Sequence, residues 1–305
     1  MSILVVGSVA FDALKTPFGE IDRAIGGSAM YFSVAASFFT PVELVAVVGD
    51  DFTDRDMAVF DGRPINTEGL QRVRGARTFF WSGEYGYDLN VARTRDTQLN
   101  VFADFKPRLT EKQQKTDVLF LANIDPELQM DVLRQTKRPR IVALDTMNYW
   151  ITSKRDALEH IFRAVDLIII NEAEVRQFMN ESNLVRAGRA ILSLGATALV
   201  IKRGEYGVLM ITRDSAFAAP AYPLENVFDP TGAGDTFAGG FLGYLASRRE
   251  LTDREIRRAI VFGSVLASFT VEKFSLDRLR EIGVADIHTR YQAFRHLTHF
   301  EDFEV

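Results

Sequence analysis

Apolar positions along the chain come in short, almost unbroken runs: ILVVGSV (3–9), VELVAVVG (42–49), VLFLANI (118–124), RIVALDT (140–146), DLIIINE (166–172) and ALVIKRG (198–204). Runs this short, β-branched and without polar alternation predict strands buried on both faces. Between them the apolar spacing widens to that of amphipathic helices, over 28–39, 125–136, 172–180 and 183–195. Strands and helices in alternation predict an α/β fold on a mainly parallel sheet.

One stretch breaks the rhythm. Residues 75–103, GARTFFWSGEYGYDLNVARTRDTQLNVFA, have no helical period and mix Thr, Phe, Tyr and Val with Gly, which predicts hairpin strands. Together with ALKTPFG (13–19) they would form a small β-sheet standing off the main domain and suited to act as a lid. An edge hairpin of the main sheet is the plainer alternative. The expected division is a core of 1–12, 20–72 and 104–305 and a lid of 13–19 and 73–103.

Composition narrows the partners. With 305 residues, 47% of them hydrophobic and 25% charged, the chain can bury a large core. A formal net charge of −5 argues against a nucleic-acid binder, which carries a basic stripe, so the expected partner is a small molecule. The absence of cysteine removes disulfides, thiolate zinc sites and thiol nucleophiles, and the four histidines are too scattered for a metal site. The start, MSILVVGSVAFD, has no basic stretch and breaks its apolar run at Gly7, Ser8 and Asp12. It reads as neither a signal peptide nor a membrane span, and a cytoplasmic protein without a membrane partner is expected.

The candidate chemistry centres on DPTGAGDTFAGGFLGYLA (229–246). A Gly-Ala-Gly run at 232–234 lets backbone N–H groups converge without Cβ obstruction, and a following helix adds the positive end of its dipole. That is an anion hole. Asp235 then falls in the first helical turn, where a carboxylate can take a proton from an attacking hydroxyl. An ordinary helix cap after a glycine turn is the simpler reading, but Gly239 and Gly240 one turn later make the combination more specific. Neither a P-loop nor a Rossmann glycine fingerprint occurs.

This run resembles the C-terminal signature of the ribokinase-like, or PfkB, family of carbohydrate and nucleoside kinases, usually Asp-Thr-x-Gly-Ala-Gly-Asp, with Pro230 in place of the Thr. The resemblance implies a ribokinase-like three-layer sandwich with a small β-sheet lid. It also implies Asp235 as catalytic base, the Gly232, Ala233 and Gly234 backbone as phosphoryl cradle, and Asp229 on the nucleotide side. GSVAFD resembles the family's first strand, making Asp12 the acceptor for substrate hydroxyls. GGSAMYFSVAAS resembles the N-terminal glycine signature, assigning Gly26, Gly27 and Ser28 to the substrate, with Tyr31 where an Asn is usual.

NEAE (171–174) matches the family's Asn-x-x-Glu element, which implies Asn171 near the nucleotide and Glu174 near a hydrated Mg2+. A plain capping pair is the alternative. IKRGEYG (201–207) resembles the turn beneath ATP and brings in Lys202, Gly204 and Gly207, although an ordinary β-turn would look the same. LDTMNYW (144–150) places Asp145 and Asn148 near substrate or metal waters. GSVLASFTVEKFSLDRL (263–279) resembles the helix and loop that flank adenine and in some relatives hold a monovalent cation, so K+ stays open. The implied activity is ATP-dependent transfer of the γ-phosphate to a hydroxymethyl group of a ribonucleoside or sugar. Alternatives are a sugar-phosphate kinase, left open by Arg77, Arg93 and Arg95, and a non-catalytic sensor. Lid aromatics Phe79, Phe80, Trp81, Tyr85 and Tyr87 tilt the acceptor toward a nucleoside, and a homodimer through the lid is expected.

Overall fold

All six apolar runs lie in one sheet of a computed structural model that describes residues 2–299 and 301; the outermost positions of the expected core, 1, 300 and 302–305, lie outside the described residues. The strands are β1 (Ile3–Val6), β2 (Ala10–Thr16), β3 (Gly19–Gly26), β4 (Val42–Gly49), β5 (Ile65–Val73), β6 (Phe79–Tyr85), β7 (Ala92–Gln98), β8 (Val118–Leu121), β9 (Ile141–Asp145), β10 (Leu167–Asn171), β11 (Ala198–Lys202), β12 (Val208–Thr212) and β13 (Ala216–Ala219). The large sheet runs β13-β12-β11-β10-β9-β8-β1-β4-β5. It is parallel except at β12 and β13.

Alternate residues of each central strand enter opposite cores, which is why the runs are apolar without a break. Ile3 and Val5 pack with helices Ser28–Ala36, Ala233–Ala246, Asp253–Thr270 and Val284–Thr298. Leu4 and Val6 pack with Pro126–Gln135, Arg155–Phe162, Glu172–Met179 and Leu184–Leu192. Helices on both faces of one sheet make the expected three layers. Among the described residues no helix is long and apolar enough to cross a membrane.

Strand order reverses between β1 and β8, and in such sheets the crevice beyond the carboxyl ends at the reversal is where ligands bind. The loops after β1, β9, β10 and β11 all open there.

The second sheet has the order β3-β2-β6-β7. It is separate from the large sheet, so the edge-hairpin alternative does not hold. It also extends beyond the expected boundaries: β2 begins at Ala10 and the whole of β3, through Gly26, belongs to it, although 1–12 and 20–72 were assigned to the core. The reason is pairing. Ala10 to Thr16 turn back at Gly19 to pair antiparallel with β3, and β3 carries so few apolar residues (GEIDRAIG) that its pattern alone does not announce a strand. β7 is exposed at every position and carries Arg93, Arg95 and Asp96, charges that discourage strand addition at an edge.

Candidate active site

Gly232 caps the helix Ala233–Ala246 with φ of 74°, a left-handed conformation that Gly adopts without cost. A Cβ there would lie 2.4 Å from the ring of Tyr31. The Ala233 N–H turns back onto the Pro230 carbonyl at 3.2 Å, so among the described residues the amides of Gly232, Gly234 and Asp235 are the open donors of this helix start. Of the expected cradle, Ala233 therefore contributes shape rather than a free N–H.

Asp229, expected on the nucleotide side, is fully buried. Its Oδ1 accepts the Thr231 N–H at 2.9 Å and its Oδ2 the Ser275 N–H at 3.1 Å. Both oxygens are engaged in shaping the loop. Tyr31, only 1% exposed, is the floor beneath Gly232. A Tyr fits where Asn is usual because Gly232 leaves the ring its room.

On the acceptor side, β2 presents Asp12, whose carboxylate lies against Gly26: a Cβ on Gly26 would be 1.9 Å from Asp12 Oδ2. Burial, followed by the charges of Asp229 and Asp235, pushes the Asp12 carboxyl up to about 8. Gly27, with φ of 98°, lets the chain pass the Ser8 carbonyl and start the helix Ser28–Ala36. Ser28 is buried and committed elsewhere; its N–H donates to Ser8 Oγ at 3.0 Å and the two hydroxyls stand 3.1 Å apart. It holds the turn together.

The ends of β9 and β10 and the start of the helix Ala233–Ala246 bring three carboxylates, Asp145, Glu174 and Asp235, to the Lys202 ammonium at the end of β11. Lys202 Nζ donates to Asp145 Oδ2 at 2.5 Å, with the two side chains 17% and 4% exposed. The same Nζ would lie 3.1 Å from a Cβ on Gly234, so it flanks the anion-hole loop. Burial opposes its charge, but Asp145, Glu174 and Asp235 outweigh burial and hold the ammonium above its ordinary value. Burial and then Asp145 raise Asp235 to about 7, with Lys202 pulling the other way. Glu174 is raised to about 7 by the same two influences in the same order.

Asn171 and Glu174 form a reciprocal capping box: Asn171 Oδ1 accepts the Glu174 N–H at 2.9 Å and Glu174 Oε2 accepts the Asn171 N–H at 3.0 Å. Both residues thus cap the helix, and Glu174 also joins the charge cluster. Asn148 is exposed at the start of the helix Asn148–Ser153. Gly204 and Gly207 take φ of 54° and 85° around a single 3-10 turn.

When all are ionised, three carboxylates face one ammonium, and the surplus of negative charge suits a divalent cation.

Sequence reasoning missed three partners. Ser275, in a left-handed turn with φ of 57°, donates its hydroxyl to the Ile25 carbonyl at 2.5 Å as well as its N–H to Asp229. Tyr85 of the lid meets Thr231 of the loop at 3.1 Å. Asn90 lies on Gly204, its Oδ1 1.8 Å from where a Cβ would be. None has a local signal, because each contact joins distant segments.

Residues 3–281 match the model of the pfkB family carbohydrate kinases, and the chain belongs to that family. It is 30% identical over 255 residues to the cytidine kinase of Thermococcus kodakarensis, covering 81% of this chain and 90% of that one. The crystal structure of Methanocaldococcus jannaschii nucleoside kinase superposes with a TM-score of 0.76 at 21% identity, over 96% of this chain and 98% of that one. The nucleoside kinase of Burkholderia thailandensis in complex with inosine gives 0.76 at 19% identity, over 95% and 98%. The fold is that of the ribokinase family, and the protein is a kinase acting on an alcohol group of a nucleoside or sugar.

Proposed function

We propose that this chain transfers the γ-phosphate of ATP to the hydroxymethyl group of a ribonucleoside, in the cytoplasm. The observation that carries the choice of acceptor is Trp81. It stands opposite Asp12 in the register of β2 and β6, so both side chains leave the same face of the lid. A Cβ on Gly83 would be 2.1 Å from the indole, whose six-membered ring therefore fills the space over the bare glycine, and its Nε1 donates to Thr94 Oγ1 at 3.2 Å. A fixed aromatic plane beside a hydroxyl-binding carboxylate matches a sugar that carries a planar base. The sugar-phosphate alternative is weaker, because Arg95 is tied to Glu84 at 2.7 Å and β7 is exposed throughout.

In the proposed reaction the acceptor hydroxyl bonds to Asp12, beside Gly26 and Gly27. Asp235 takes the hydroxyl proton as the oxygen bonds to the γ-phosphorus, and the bond from that phosphorus to the bridging oxygen of ADP breaks. The open amides of Gly232 and Gly234 and the Lys202 ammonium stabilise charge on the transferring phosphoryl group. Glu174, with Asp145 behind it, would hold hydrated Mg2+, which supplies further neutralisation of the phosphate oxygens. Closure of the lid excludes water as a competing acceptor.

An ADP-release assay over nucleosides, ribose, fructose and fructose phosphates tests this reading. Turnover with nucleosides above the free sugars supports it. ATP binding without turnover of any acceptor would favour the sensor. We also propose that two chains associate through the lid face, away from the charged β7 edge; a monomer in sedimentation at micromolar concentration refutes that.

A further inference from the structure

Thr231, the residue before the anion-hole glycine, is held from two sides. From the core, Asp229 Oδ1 accepts its N–H at 2.9 Å. From the lid, Tyr85 accepts a hydrogen bond from its Oγ1 at 3.1 Å. Gly232 follows directly, resting on the Tyr31 ring.

The β6–β7 hairpin and the β2–β3 turn dock on the core at further points. Asn90 sits on Gly204, and Phe18 meets Phe228 edge-on with centroids 6.2 Å apart. Tyr85 differs from these. It is the lid residue whose polar atom reaches the loop that presents the open amides. Burial raises its hydroxyl well above the ordinary value, and the charges of Asp229, Asp12 and Asp235 push the same way.

On the reading that the protein is a kinase, we infer that Tyr85 is a positioning residue: its hydroxyl ties the closed lid to Thr231 and so aims the Gly232 and Gly234 amides at the transferring phosphate. With the hairpin lifted, Thr231 keeps only its core-side bond, and the amides lose the outer half of their support. Preorganised donors matter most when they need no rearrangement during reaction, and a small misalignment of such groups is costly. The cradle is then complete only when the lid excludes water.

The test is a double-mutant cycle of Tyr85→Phe and Thr231→Val, each conservative in volume. Each single change is expected to lower kcat about tenfold, with KM for ATP and for acceptor within about twofold, and the double variant is expected to be no worse than the weaker single. Additive losses, an unchanged kcat, or a rise confined to the acceptor KM would overturn the inference, the last by making Tyr85 a substrate contact. A second readout needs no turnover. In the ligand-free protein Tyr85→Phe is expected to speed amide hydrogen exchange over 230–236 while 141–145 stays as in the parent; equal exchange in both proteins overturns the tie. If the parent protein phosphorylates no acceptor, the kinase reading fails while the exchange result still decides the Tyr85 contact.

Discussion

The Cβ that Gly26 lacks would sit 1.9 Å from Oδ2 of Asp12. The glycine therefore sets where the acceptor-side carboxylate can lie. Its own φ is not in the left-handed region, so Gly26→Ala meets a side-chain clash and no backbone strain. On the proposed role of Asp12 as acceptor of substrate hydroxyls, the expected result is a fall in kcat/KM for the acceptor of about tenfold or more. Steady-state kinetics with a melting curve checks it, and full activity would show that Asp12 does not hold the acceptor.

Asp235 is buried against Lys202 and Asp145 and sits three residues past the left-handed Gly232. Asp235→Asn is expected to keep ATP affinity while turnover drops at least about a hundredfold, the low end for a positioned base. Calorimetric ATP titration beside a turnover assay separates the two, and a variant that turns over normally would remove the base from the mechanism.

The pH dependence follows from the same carboxylates. Burial and Asp145 raise Asp235 to about 7, and burial with Asp229 and Asp235 raises Asp12 to about 8. A base must be ionised to act, so kcat/KM is expected to rise with pH across roughly 6 to 8 and level off above, the limb reporting the free enzyme. The two groups interact, so the limb belongs to the pair. A profile already flat from pH 5 upward would contradict the buried environment of Asp235.

Trp81 gives the acceptor test at one residue. Loss of a base–aromatic stack, worth about 1–3 kcal/mol, is expected to lower nucleoside kcat/KM by about five- to a hundredfold in Trp81→Ala, with free ribose changed less than about twofold. Equal losses on both acceptors would mean that the indole only supports the lid.

Much was legible along the chain because its causes are local. Continuous apolar runs report burial on both faces, so Val42–Gly49 appears as read and the other five runs lie where expected, with ends trimmed. The glycines at 232 and 234 and the acid at 235 mark an anion-binding helix start through spacing alone. The strand β3 and the helix Val284–Thr298 were not read, because their patterns are mixed and their cover comes from elsewhere in the chain, and Arg155–Phe162, though amphipathic at Leu158, Ile161 and Phe162, is only two turns long.

What the sequence determined by itself was the class of fold and the identity of the reactive groups, since periodicity and residue chemistry are properties of neighbours along the chain. The tertiary structure decided what each group does. It showed Asp229, Tyr31, Ser28 and Asn171 each in contact with the loops around them. It also supplied Ser275, Tyr85 and Asn90 as partners. The physical reason is that a buried polar group must find its hydrogen bond wherever the folded chain brings a partner, and those partners lie up to 250 positions away.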